Sequence, residues 1–128
     1  MKVDSALKTL AVLAIVFGLL TIFSGGQALF GDAQARAAVG NAVDFVLWFN
    51  FLAGFVYVLV GMTLWRGLRW AARAAGLLAL ATALVAGLFG LHVLNGGAYE
   101  MRTVGALALR FAFWTAVAIT ARARLKAI

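Results

Sequence analysis

The chain has 128 residues, of which 66% are hydrophobic and only 12% are charged, and it contains no cysteine. Soluble domains carry about 25% charged residues, so this chain has too few polar groups to cover a water-facing surface, and we expect it to face lipid. The lack of cysteine excludes disulfides, thiolate catalysis and thiolate-bound metals, and the length suits one domain.

Four segments, taken in chain order, are apolar and long enough to cross a bilayer as helices. A transmembrane helix needs about 20 mostly apolar residues, and such segments occupy residues 6–23, 43–65, 74–94 and 104–120. Apolar residues lie all round each segment, and none shows the period of two that strands require. The sequence therefore predicts an all-α, integral membrane bundle of four antiparallel helices, forming a single domain over residues 1–128.

The first segment also has features of a secretory signal. Lys2 and Lys8 precede its apolar run, and Ala33-Gln34-Ala35 follows it, which is the type of sequence found at cleavage sites. We interpret the segment as a retained first span.

Basic residues cluster on one side of the predicted bundle. If the chain crosses four times, its two ends and the loop between spans two and three share one side, which then holds eight basic residues and a single acid, Asp4. The positive-inside rule places both termini in the cytoplasm. The net charge of +7 is therefore an orientation signal, and no nucleic-acid partner is expected. The eight bases are Lys2, Lys8, Arg66, Arg69, Arg73, Arg122, Arg124 and Lys126.

The loops and the small residues predict further local structure. Residues 32–40 are alanine-rich, and Asp32 can accept hydrogen bonds from the free N–H groups of a first helical turn, so a short interfacial helix is predicted there. Gly54 and Gly61 on the second span, together with small residues at helical spacing on the third, predict faces where helices approach closely, within the chain or between chains. The tryptophans are predicted to anchor the bundle at the membrane interfaces; they are Trp48, Trp65, Trp70 and Trp114.

Arg110 is a charged residue inside the fourth span. A charge at such a depth is costly and usually faces the bundle interior beside a partner. Asp44, at the outer end of the second span, and Glu100, in the loop before the fourth, are the candidate ion-pair partners. An ion pair between Arg110 and one of these acids would either fix the packing of the helices or form part of a binding site. Alternatively, the Arg110 side chain extends to the lipid headgroups.

The other embedded polar residues also fall in the outer halves of the spans. His92 and Asn95 are three residues apart and so share a helix face; His92 could act as an acid or base, or as a ligand of a metal or haem, and a hydrogen-bonded histidine is the alternative. Asn50 and Tyr57 are seven apart and could line an internal cavity. The predicted ligand-binding set is Asn50, Tyr57, His92, Asn95, Glu100 and Arg110.

Two segments, WFNFLAGFVY at residues 48–57 and HVLNGGAYEMRT at residues 92–103, resemble small four-helix inner-membrane proteins of bacteria. The four-span layout with short loops is also similar to that of the DoxX-like proteins. The resemblance covers nearly the whole chain, and it implies the fold and a multi-pass location in the bacterial inner membrane without implying an activity. Small multidrug transporters have a similar length, but they use an embedded glutamate in the first span, and this chain has none there.

No catalytic motif is present: the sequence has no P-loop, no nucleotide fingerprint and no supported nucleophile–base–acid set. We therefore expect a non-enzymatic membrane protein, either an accessory subunit of a larger complex or a small-ligand binder whose polar cluster opens to the periplasmic side. Two alternatives stay open. One is a haem- or metal-binding redox protein that uses His92, and the other is a homo-oligomeric transporter or channel for small solutes.

Overall fold

The computed structural model describes residues 5–125, and these are almost entirely helical. In chain order the elements are α1 (Ser5–Phe30), α2 (Ala33–Ala38), α3 (Asp44–Trp65), α4 (Trp70–Leu94) and α5 (Met101–Leu125). Within this range there is no strand, and α1, α3, α4 and α5 are long and apolar enough to cross a membrane. The predicted all-helical class with four such helices is confirmed. Lys2, Asp4 and Lys126, which entered the orientation argument, lie outside the described residues.

Large apolar side chains cover the outside of every long helix. Leu20 of α1, Leu59 of α3, Leu84 of α4 and Leu109 of α5 each leave more than half of their surface exposed. Helices that are hydrophobic all round are stable only when something apolar surrounds them. The four long helices therefore form a bundle whose outer surface suits the hydrocarbon of a bilayer.

α1 and α3 pack against each other more closely than any other pair. A Cβ added at Gly54 of α3 would lie 3.1 Å from the carbonyl oxygen of Gly18, and one added at Gly61 would lie 3.0 Å from that of Ala11. Small residues allow this approach in lipid, where no hydrophobic drive brings helices together. The packing role predicted for Gly54 and Gly61 is confirmed.

The glycines of α4 are different. A Cβ built on Gly76, Gly87 or Gly90 would meet nothing within 4 Å among the described residues. These glycines therefore do not mediate close packing inside the chain.

α1 is seven residues longer at its end than the apolar pattern indicated. Ser24-Gly25-Gly26 was expected to begin a loop, yet the helix continues through it to Phe30. Gly25 faces α3, where an added Cβ would lie 3.0 Å from the Cβ of Phe51. Phe30 then packs edge-on against Trp48, with 5.5 Å between ring centroids. Glycine has a low helix propensity. Contact with α3 therefore stabilises the helical conformation of Gly25 and Gly26.

α4 and α5 form a second pair, and an aromatic cluster joins it to the first. Tyr57 of α3 lies against Trp114 of α5, with ring centroids 4.9 Å apart, and Phe17 of α1 contacts both Tyr57 and Phe113. Trp114 is completely buried there, so its predicted position at a membrane interface is wrong. The other three tryptophans are about half exposed near helix ends.

The loops at one end of the bundle are held together by polar contacts. Asp32 caps α2 by accepting a hydrogen bond from the Ala35 N–H at 2.9 Å, which confirms the short helix predicted there. Glu100 accepts a hydrogen bond from the Asn41 N–H at 3.2 Å, and Arg102 donates to the Ala38 carbonyl at 2.9 Å. The segment between α1 and α3 is therefore fixed to the start of α5.

α4 ends at this same side in a glycine-dependent turn. Gly96 has φ +82°, a conformation that favours glycine. The Gly96 N–H bonds the Val93 carbonyl, and the Gly97 N–H bonds the His92 carbonyl, which is the hydrogen-bond pattern of a Schellman cap. The turn lets α5 begin within seven residues of the end of α4.

Candidate functional site

Arg110 lies in the middle of the contact between the two helix pairs. It belongs to the buried face of α5, which repeats every three or four residues through Leu107, Arg110, Trp114 and Val117. Only 9% of its surface is exposed. The helix periodicity therefore directs the charge into the bundle interior, as expected for an embedded arginine.

The guanidinium group of Arg110 is held by neutral groups from α1 and α3. Its Nη1 donates to the Thr21 hydroxyl at 2.9 Å and, more weakly, to the Tyr57 hydroxyl at 3.5 Å. Its central carbon also lies 4.9 Å from the centroid of the Phe17 ring, a distance at which a ring face attracts a cation. These contacts hold the charge in place without neutralising it.

Neither predicted carboxylate pairs with Arg110 within the described part of the chain. Glu100 lies ten residues before it, about 15 Å along the helix axis, and its carboxylate is 3.8 Å from Arg102. Asp44 is exposed in the first turn of α3, where the helix dipole stabilises a negative charge. The two acids therefore remain at the end of the bundle while Arg110 is buried well below them.

A cleft of about 180 Å³ leads from that end of the bundle down to Arg110. Its mouth lies between the α2–α3 segment and the start of α5, and its inner end is bounded by α3 and α5. The polar side chains that line it come from α1, α3, α5 and the loop before α5: Ser24, Asn50, Glu100, Arg102, Thr103 and Arg110.

Two residues that line this cleft each have a buried polar atom without a hydrogen-bond partner. Among residues 5–125, four buried side-chain polar atoms have no hydrogen-bond partner, and two of them are Arg110 Nε and Asn50 Oδ1. Buried polar atoms are normally satisfied, because an unmet donor or acceptor costs about 1–3 kcal/mol. The Arg110 guanidinium thus retains a donor, and the Asn50 amide an acceptor, that no group among the described residues satisfies.

Four of the six predicted ligand-binding residues share this region. Asn50, Glu100 and Arg110 line the cleft, and the Tyr57 hydroxyl contacts Arg110 at its inner end. Thr21 and Phe17, which also contact Arg110, were not among the predicted site residues. Thr21 shares a face of α1 with Leu7, Ala14 and Ala28 at a spacing of seven residues. A polar residue on such an otherwise apolar face is the signal that could have identified it.

His92 and Asn95 lie apart from the cleft, on the turn that closes α4. The His92 Nε2 atom is 2.8 Å from the Ala98 carbonyl oxygen, so this nitrogen carries the proton and donates. Asn95 is exposed at the end of the helix. Within residues 5–125, no three groups of the metal-ligating types come together. Binding of a metal or haem by His92 stays a prediction.

No protein-family model matches this chain, and neither a curated protein nor a solved structure shows significant similarity to it.

Proposed function

We propose that this chain is a four-span protein of the bacterial inner membrane, with antiparallel helices and both termini in the cytoplasm. The contacts between α1 and α3 support opposite directions: Lys8 near the start of α1 lies over the Trp65 ring at the end of α3, while Phe30 contacts Trp48. The excess of bases at the Lys8–Trp65 end supports the orientation. In this orientation, the cleft that leads to Arg110 opens to the periplasm.

We further propose that the protein binds a small anionic solute in the cleft, through Arg110. The observation that carries this proposal is a guanidinium group that is nine-tenths buried, lines the cleft and pairs with no carboxylate among the described residues, since the one acid of the cleft, Glu100, lies at its mouth beside Arg102. A buried charge without a counter-charge is strongly unfavourable, and a bound carboxylate or phosphate would supply one. Arginine is well suited to this task, because its donors match the geometry of both groups.

The rest of the cleft favours a small and partly protonated or hydroxylated ligand. Asn50 can supply an acceptor or donor beside the arginine, and Thr103 and Ser24 add hydroxyl groups. Glu100 and Arg102 at the mouth form an ion pair with 3.8 Å between nitrogen and oxygen, so together they add no net charge to the cleft. Short carboxylic acids and monobasic phosphate satisfy all of these conditions within about 180 Å³.

Thermal unfolding of the purified protein in detergent tests this proposal. Acetate, lactate and phosphate are titrated against sodium chloride at equal ionic strength. At a ligand concentration of 100 times Kd, binding stabilises a protein by about 2.7 kcal/mol, so at least one of these anions should raise Tm beyond the chloride reference. Arg110→Gln should abolish the shift and Asn50→Leu should reduce it.

Arg36→Gln is the matched control. Arg36 lies at the same end of the bundle but bonds the Leu29 carbonyl and does not line the cleft, so its loss should leave the shift intact. The proposal is wrong if no anion exceeds the chloride reference, or if Arg110→Gln responds as the unaltered chain does. Transport of the solute, and assembly into a homo-oligomer or larger complex, stay predictions.

A further inference from the structure

A second cleft, larger and strongly basic, lies at the opposite end of the bundle. It has a volume of about 950 Å³ and is formed by the α3–α4 loop, the first turn of α4 and the last turn of α5. We propose that this basic cleft binds the headgroup phosphate of an anionic phospholipid in the leaflet at that end. The residues that carry the proposal are Arg69, Trp70, Arg73 and Arg122.

Three guanidinium groups from separate elements converge on the basic cleft. Arg69 precedes α4, Arg73 lies in its first turn, and Arg122 lies in the last turn of α5. All three are exposed, and none forms a hydrogen bond or ion pair with the residues described in the structure. Their donors are thus available to a phosphate, which arginine binds through paired N–H groups.

Among the described residues, this cleft contains no competing acid, and Asp4, the one acid assigned to this side by the sequence, lies outside them. The sequence has no aspartate or glutamate between Asp44 and Glu100, or after Glu100, and both of these residues lie at the other end of the bundle. A positive φ of 69° at Gly67 closes the α3–α4 loop tightly and places Arg69 directly at the start of α4. The field at this end is therefore positive throughout the described residues, as in known headgroup sites between transmembrane helices.

The surface next to the cleft suits an acyl chain, which favours a lipid over free phosphate. Leu77, Leu80 and Leu84 follow Arg73 at spacings of four, three and four residues, so they form a stripe beneath it on α4. Each of these leucines leaves more than half of its surface exposed. Trp70, 53% exposed beside the arginines, marks the level of the headgroups. A lipid could therefore place its phosphate in the cleft and an acyl chain along the stripe.

Native mass spectrometry of the detergent-purified, delipidated full chain tests the proposal. Phosphatidylglycerol and phosphatidylcholine with identical acyl chains are added in separate titrations, and inorganic phosphate in a third. Phosphatidylglycerol should bind at least fivefold more tightly than phosphatidylcholine. Inorganic phosphate should bind more weakly than phosphatidylglycerol. Arg73→Gln and Arg122→Gln should each weaken phosphatidylglycerol binding on the order of fivefold.

Arg66→Gln is the matched control, since Arg66 is an exposed arginine at the same end that does not line the cleft. It should change the affinity less than twofold. Three results would overturn the proposal: equal affinity for the two lipids, an equal loss in Arg66→Gln and Arg73→Gln, or phosphate binding as tight as that of phosphatidylglycerol. The last result would indicate a site for free phosphate, and the second would indicate general attraction to a basic surface.

Discussion

Arg110 shows how a single charged side chain is accommodated inside an apolar helix bundle. Its depth in α5 makes a charge expensive, and the bundle meets part of that cost with a threonine hydroxyl, a tyrosine hydroxyl and a phenylalanine ring face. None of these groups carries a negative charge. The guanidinium is therefore positioned by neutral groups and has no counter-charge among the described residues, which is the condition that an anion-binding site requires.

Thr21→Val should destabilise the protein by about 1–3 kcal/mol, because the shortest hydrogen bond of Arg110 is lost and a buried donor remains unmet. Unfolding in mixed detergent micelles measures the loss. Thr82→Val is the control: Thr82 is equally buried, but its hydroxyl donates to the Leu78 carbonyl of its own helix at 2.7 Å, a bond whose removal should cost within about 0.5 kcal/mol. Equal losses in the two variants would contradict this account of Arg110.

At the scale of the helices, glycine has different roles in the α1–α3 pair and in the α4–α5 pair. Glycines on α1 and α3 allow backbones to touch, and Gly25 even permits α1 to continue through a sequence that resembles a helix end. The nearly identical Asn95-Gly96-Gly97 does end its helix: a Cβ on Gly96 would meet nothing within 4 Å among the described residues, and Gly96 adopts a positive φ. Tertiary contact therefore decides which glycine pair continues a helix and which one caps it.

Gly54→Ala should lower the free energy of unfolding by about 1–3 kcal/mol, since the new methyl group would lie 2.8 Å from Ile22 and 3.1 Å from the Gly18 carbonyl. Gly87→Ala should be neutral or stabilise by up to about 1 kcal/mol, because its methyl group meets open space and alanine favours a helix. The same unfolding assay compares the two. Destabilisation by Gly87→Ala would instead indicate that this face of α4 packs against another chain.

At the scale of the whole molecule, the two ends of the bundle are chemically different. One end carries the mouth of the Arg110 cleft and all the acids of the described range, and the other carries the basic cleft. Between them the long helices expose only apolar surface over most of their length. Such a distribution suits a protein whose two membrane faces meet different solutes and different headgroups.

Cysteine labelling in spheroplasts tests the proposed orientation. Because the chain has no cysteine, a single introduced thiol is the only site for a maleimide. Asn95→Cys should react with a membrane-impermeant maleimide in spheroplasts, whereas Leu68→Cys should react only after the membrane is opened. The reverse pattern would place the Arg110 cleft in the cytoplasm and invert the topology inferred from the charges.

Composition and charge pattern alone determined that the chain has four apolar helices, that its basic residues cluster at one end and that its embedded polar residues lie nearer the other. This is possible because the need to satisfy every backbone group in lipid leaves few alternatives to a helix, and because hydropathy is a local property. Only the tertiary structure decided which partners Arg110 has, how far α1 extends and which glycines pack. Those outcomes depend on atoms far apart in the chain: Thr21 and Tyr57 meet Arg110 across 89 and 53 residues, distances that no local pattern encodes.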